Sequence, residues 1–173
     1  METPSDEVGE ALSGKGITAI GDSVILDAAP FVEKTLPGIV IDGKIGRQMY
    51  QAEEVVKKLQ AEGKLGDRVI LELGTNGSFN TEKLRSLLEL LDDARQVFLV
   101  NVPVQREWQD SVNKKIAEVA NEFSNVTVVD WYSSSEGKDD FFYHDGVHLK
   151  PDGGQYYASF LVKALNTALE NSP

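Results

Sequence analysis

The sequence contains only two histidines, His144 and His148, and both stand in one late segment, Tyr143-His144-Asp145-Gly146-Val147-His148-Leu149. A serine nucleophile needs a base to take its proton, and that base needs an acid to fix its tautomer. Asp145 and His148 supply both from one loop: Asp145 holds Nδ1–H of His148, and Nε2 is left to face a hydroxyl. The serine best placed to provide that hydroxyl is Ser23, in Ile17-Thr18-Ala19-Ile20-Gly21-Asp22-Ser23-Val24-Ile25. Ile17 to Ile20 is an uncharged run too brief for a helix, so it reads as a buried strand. Gly21-Asp22 breaks the run and puts Ser23 in the turn before the next periodic segment. A strand-to-helix turn of this kind holds a hydroxyl out over a sheet edge. It also leaves backbone N–H groups free at the helix start.

Acyl transfer further requires donors for the developing oxyanion. Ser23 N–H and Gly46 N–H are the candidates from the backbone, and the Asn76 side-chain amide is a third. Taken singly, each stretch is an ordinary turn: Gly21-Asp22-Ser23, Asp42 to Gly46, and Gly74-Thr75-Asn76-Gly77 all have the composition of one. His144, Asp145 and His148 are also possible metal ligands. The i,i+4 histidine pair needs a helix to face one way, and Gly146 with Pro151 argues against a helix there, so no metal and no cofactor is expected.

The elements that must position these residues follow from periodicity. After Ser23, a helix is predicted from about Asp27 to Leu36, stopped by Pro37-Gly38. Ile39-Val40-Ile41 is a second strand. From Arg47 to Glu62, Met49, Ala52, Val55, Val56 and Leu59 recur at helical spacing. Arg68 to Leu73 is the third strand. Thr81 is the expected cap of a helix that buries Leu84, Leu87, Leu88 and Leu91. Val97 to Val100 is the fourth strand, and Trp108, Val112, Ile116, Val119 and Phe123 line one side of a long helix. Val126 to Val129 is the fifth strand, and Tyr132 to Lys150 reads mainly as loop. Pro151 opens a last helix with Phe160, Leu161, Leu165 and Leu169 on its buried side.

Apolar strands alternating with helices call for a parallel sheet covered on both faces. The expected fold is therefore an α/β, doubly wound, three-layer sandwich with a five-stranded sheet in the order 2-1-3-4-5. Ligands in such folds sit outside the carboxyl ends of the strands, and all three Gly-bearing turns fall at that edge.

The 173 residues suffice for one domain at 16–173, with 1–15 as a linker-like tail rich in Pro, Ser, Glu and Gly. A net charge of −11 opposes sequence-independent nucleic-acid binding and docking on an anionic membrane, and it favours a monomer. The absence of cysteine excludes disulfides and thiolate chemistry. No apolar run is long enough for a membrane span.

Taken jointly and in order, Gly21-Asp22-Ser23, the glycine after the second strand, Gly74-Thr75-Asn76 and Asp145-x-x-His148 resemble the four blocks of the SGNH (GDSL-type) hydrolase superfamily. The resemblance spans nearly the whole chain from Ile17. It implies a nucleophile at Ser23, a triad completed by Asp145 and His148, and an oxyanion hole of Ser23, Gly46 and Asn76. One departure stands out, because Gly77 occupies a position where the family often has Asp, so the support behind Asn76 must differ. Within the superfamily, Ile20 to Val24 with Asp145 to Leu149 look most like the extracellular domains of Gram-positive peptidoglycan O-acetyltransferases of the staphylococcal kind. That likeness implies acetyl transfer to the C6 hydroxyl of N-acetylmuramic acid, a modification that blocks lysozyme. It also implies an acetyl donor supplied across the membrane by an acyltransferase-3 module, peptidoglycan strands as acceptor, and a place on the outer face of the cell as part of a longer membrane protein.

An esterase would use the same residues with water as acceptor. A catalytically silent carbohydrate- or nucleotide-binding domain is the reading from another class, with Trp108, Tyr132 and Tyr143 as possible sugar contacts. The chain has neither a Gly-x-x-x-x-Gly-Lys-Ser/Thr loop nor a Gly-x-Gly-x-x-Gly turn, which weakens its nucleotide version.

Overall fold

In a computed structural model that describes residues 13–170, five parallel strands form one sheet. They are β1 (Ile17–Gly21), β2 (Val40–Gly43), β3 (Arg68–Glu72), β4 (Gln96–Val100) and β5 (Val126–Val129), in the order β2-β1-β3-β4-β5. The sequence-expected order is thus the observed one. Most of the linker-like tail lies outside the described residues, as does the Leu169 side chain.

The helices are α1 (Ser23–Thr35), α2 (Ala52–Ala61), α3 (Thr81–Leu90), α4 (Gln109–Ala120), the single turn α5 (Trp131–Ser134) and α6 (Pro151–Glu170). Strand side chains alternate between two cores because successive residues face opposite sides of a sheet. Ile20, Val69, Leu71, Val97 and Leu99 join the buried stripes of α2, α3 and α4 on one face. Ile17, Ala19, Ile70, Phe98 and Val100 join α1, Trp131 and α6 on the other. Each fully buried Leu or Ile contributes on the order of 1.5–3 kcal/mol over exposure, so both faces must be covered for the sheet to be stable.

Several boundaries differ from those expected. α1 begins at Ser23, not near Asp27, because the Asp22 carboxylate caps it by accepting from Val24 N–H at 2.9 Å. Asn80, rather than Thr81, caps α3, its side chain accepting from Glu82 N–H at 2.7 Å. The segment expected as one helix from Arg47 to Glu62 enters through a 3₁₀ turn, Met49–Gln51, before α2. Trp108 precedes α4 and Phe123 follows it, though both pack against the core. The expected late loop contains α5 and a further 3₁₀ turn, Asp139–Phe141. No described helix is long and apolar enough to cross a membrane.

Candidate active site

Every sequence-predicted site residue lies at the carboxyl edge of the sheet. β1 delivers Ser23, the turn after β2 delivers Gly46, the turn after β3 delivers Asn76, and the loop before α6 delivers Asp145 and His148. Gly21 makes the Ser23 turn possible, since a Cβ there would come within 2.8 Å of both Glu72 Oε1 and the Ile25 side chain. Gly46 has φ +79° with open space where a Cβ would stand, so its backbone conformation, not crowding by the protein, favours glycine.

The loop that carries Asp145 and His148 is pinned at both ends. Phe142 and Leu149 form an antiparallel bridge and are both buried. Tyr143 N–H donates to the His148 carbonyl at 2.9 Å, and Leu149 N–H donates to Asp27 Oδ2 at 3.1 Å. Asp27, in α1, therefore ties the loop to the helix that carries Ser23, a role its sequence position did not reveal.

Across this frame Ser23 Oγ lies 3.0 Å from His148 Nε2, and His148 Nδ1 meets Asp145 Oδ2. Asp145 Oδ1 accepts from the amides of Val147 at 2.9 Å and His148 at 3.0 Å. Partial burial raises the Asp145 pKa, but the hydrogen bonds from His148 and these amides outweigh it and leave the pKa at about 2. The hydrogen bond to Asp145 raises His148 above the ordinary imidazole value; desolvation opposes this, and the charges of Asp145, Asp27 and Asp22 add to it. The arrangement has the connectivity of a nucleophile, a base and an orienting acid. It stays open to water, with the His148 and Asp145 side chains 42% and 38% exposed.

Among the described residues no protein acceptor engages Ser23 N–H or Gly46 N–H. Asn76 Nδ2 stands 3.4 Å from Asp22 Oδ2 and 3.3 Å from the Arg47 carbonyl, two long contacts that hold the amide beside Ser23. Gln48 Nε2 donates to the Asn76 carbonyl at 2.8 Å, and its Oε1 lies 3.2 Å from where a Cβ on Gly77 would be. Gln48 thus occupies the ground behind Asn76, which is how this chain supports the turn without an Asp at position 77. Trp108 Nε1–H donates to the Thr75 carbonyl at 3.0 Å, bracing the same turn from α4.

Tyr132, Tyr143 and His144 do not join the triad. They line a groove of about 670 Å³ beside it, with Gln105, Phe142 and Gly146. A larger groove of about 950 Å³ runs between β5 and α6 and includes none of the triad. Among the described residues no three His, Asp or Glu side chains are grouped to hold a metal.

No protein-family model matches the chain. It is 46% identical over 148 residues, 86% of its length, to peptidoglycan O-acetyltransferase OatA of Listeria monocytogenes. To O-acetyltransferase OatA of Staphylococcus aureus it is 39% identical over 153 residues, 88% of its length. Among solved structures, the C-terminal catalytic domain of Streptococcus pneumoniae peptidoglycan O-acetyltransferase A, with a methylsulfonyl adduct, superposes with TM-score 0.78 at 24% identity. That match covers 91% of this chain and 96% of the other. This chain is similar in sequence to one segment of peptidoglycan O-acetyltransferases and shares the fold of the solved catalytic domain. It spans about a quarter of the length of the curated relatives it matches, 24% for the Listeria protein and 25% for the Staphylococcus one.

The meeting of Ser23, His148 and Asp145 was legible in the sequence. Asp22 as a buried carboxyl, Glu72, Asp27 and Gln48 were not. Glu72 carried one readable signal, a lone charged residue inside an otherwise apolar strand segment, Val69-Ile70-Leu71-Glu72-Leu73.

Proposed function

We propose that this domain transfers acetyl groups to the C6 hydroxyl of N-acetylmuramic acid in peptidoglycan, through an acetyl-Ser23 intermediate. The Ser23–His148–Asp145 contact carries the reading, and the sequence likeness to peptidoglycan O-acetyltransferases supports acetyl as the group moved and peptidoglycan as its acceptor. His148 Nε2 takes the Ser23 proton as Oγ attacks the acetyl carbonyl carbon. Ser23 N–H, Gly46 N–H and the Asn76 amide receive the negative oxygen that forms. The donor C–O bond then breaks, and His148 returns the proton to the departing oxygen. In the second half the sugar hydroxyl attacks acetyl-Ser23, losing its proton to His148, and the ester oxygen leaves as Ser23 Oγ–H.

The groove beside the loop supports a sugar acceptor, since the exposed Tyr132 and Tyr143 offer aromatic faces along it. In this reading the domain works on the outer face of the cell as a monomer within a longer protein, whose membrane module supplies the acetyl donor. A second reading, acetyl-ester hydrolysis, is favoured by the solvent exposure of His148 and Asp145, which lets water reach acetyl-Ser23.

The deciding experiment offers an activated acetyl ester with and without a muramoyl oligosaccharide and looks for acetylated sugar by mass spectrometry, with Ser23→Ala alongside. Transfer predicts acetylated sugar that falls at least about 10⁴-fold in Ser23→Ala. Free acetate alone, unaffected by the sugar, establishes the esterase instead.

A further inference from the structure

Two carboxyl groups that the triad does not use lie beneath the Ser23 turn. Asp22 is fully buried, and Glu72, the last residue of β3, is 3% exposed. Glu72 Oε1 accepts from Asp22 N–H at 3.3 Å and from Ile25 N–H at 2.9 Å, the residues on either side of Ser23 and Val24. Asp22 accepts from Val24 N–H through Oδ1 and from Asn76 Nδ2 through Oδ2. Both carboxyls thus close on the same turn, Glu72 on the Asp22 amide and Asp22 on the Val24 amide, and each acts on the other's ionisation. Two charges buried side by side repel, which favours a proton shared between the two groups. Among the described residues neither carboxyl has a salt-bridge partner. Arg47 instead directs its guanidinium to the Gly21 carbonyl at 3.1 Å and to Asp42.

We propose that Glu72 is a positioning residue for acyl transfer: through the Asp22 and Ile25 amides it locks the nucleophile turn and, through Asp22 Oδ2, aims the Asn76 amide at the reacting oxygen. This rests on the reading of Ser23 as nucleophile. Every contact Glu72 makes in this network ends on the machinery around Ser23, and none reaches a possible acceptor sugar directly. Burial pushes Glu72 well above the usual carboxyl range, and the charge and hydrogen bond of Asp22 push it further. Burial also raises Asp22, against the hydrogen bonds from Glu72, Val24 and Thr75 and the charge of His148.

The other groups around the pair are His148 in the loop before α6, Thr75 after β3, Arg47 after β2 and the buried Tyr157 phenol from α6. Burial, together with the charges of Glu72 and Asp22, keeps Tyr157 neutral far above its ordinary range. Loss of the shared proton leaves two buried carboxylates in repulsion, which drives Asp22 off Asn76 and loosens the turn.

The test follows Ser23 acetylation by 4-nitrophenyl acetate, read by mass and by nitrophenol release, from pH 5 to 10. Glu72→Gln keeps both acceptor contacts and replaces the labile proton with an N–H. The parent rate rises as His148 loses its proton and falls again at alkaline pH, whereas Glu72→Gln lacks the fall and stays within about tenfold of the parent at pH 7. Glu72→Met, which removes the network, lowers kcat about 10²-fold with KM within about threefold, the size of effect of one lost oxyanion donor. In an Asn76→Ala background the same change costs less than about threefold further, since the effect runs through Asn76.

A folded Glu72→Met with parental kcat, full additivity with Asn76→Ala, or the same alkaline fall in Glu72→Gln as in the parent each overturns the inference. If Glu72→Met does not fold, the Glu72→Gln profile decides alone. A parent that never acetylates Ser23 overturns the reading of the site and this inference with it, a failure seen in the parent before any change at position 72.

Discussion

β3 begins and ends on a buried charged residue, and the two ends are built for different purposes. At the amino edge Arg68 donates from Nε to Gln96 Oε1 at 2.8 Å and from Nη2 to the Leu165 carbonyl at 2.9 Å, with its Cζ 5.6 Å from the Phe98 ring centre. Burial lowers its pKa, yet a guanidinium remains charged, and these acceptors satisfy it. At the carboxyl edge Glu72 is buried against another carboxyl, and burial is relieved by keeping a proton. One end closes the sheet against α6 with matched partners. The other places two carboxyls together beneath the Ser23 turn. The difference teaches that stability and chemistry divide along the strand direction, as the edge preference of parallel α/β sheets for ligands requires.

The comparison breaks most clearly at the triad. Asp145→Asn removes the acceptor that fixes the His148 tautomer, and acetyl-ester turnover should fall about 10³–10⁴-fold while the thermal midpoint stays within a few degrees. The rate-against-pH midpoint should also move down, because the hydrogen bond to Asp145 is the chief cause of the raised His148 pKa. At the opposite edge the effects reverse. Arg68→Ala strands the Leu165 carbonyl and Gln96, and denaturant unfolding should show a loss of about 2 kcal/mol. Turnover per folded molecule should remain within about threefold of the parent, as the sites are independent.

The smallest effect joins the two themes. His148 has a folded pKa above its unfolded value, so its stabilising contribution is fully present below about pH 6.5 and is lost as pH rises through the raised folded pKa. Replacing His148 with Ala should therefore lower the thermal midpoint more at pH 5 than at pH 9. Because the side chain is 42% exposed, solvent screens the pair, and the difference should be on the order of 2 °C or less. A larger midpoint loss at pH 9 than at pH 5 would contradict the pairing.

Much of this was written locally. Val69 to Leu71 and Val97 to Val100 are uniformly apolar, which a strand covered on both faces demands, and the leucines of α3 recur at helical spacing. Asp145-x-x-His148 is close enough in sequence for one loop to join acid and base. Where the reading faltered, the deciding contact was made by a distant residue or by a backbone amide. The start of α1 depends on the Asp22 side chain turning back to Val24, and the cap of α3 on Asn80 doing the same for Glu82. Composition does not distinguish such a cap from an ordinary turn residue.

Residue type and order alone determined the sheet, its strand sequence and which serine, histidine and aspartate meet at its edge, because periodicity and turn chemistry act over a few residues. Tertiary structure decided what surrounds them. Only folding brings Glu72 under Ser23, Asp27 to the catalytic loop, Gln48 behind Asn76 and Trp108 against Thr75. Burial decides the rest: a carboxyl keeps its proton when the folded chain removes water from around it and places a second carboxyl alongside.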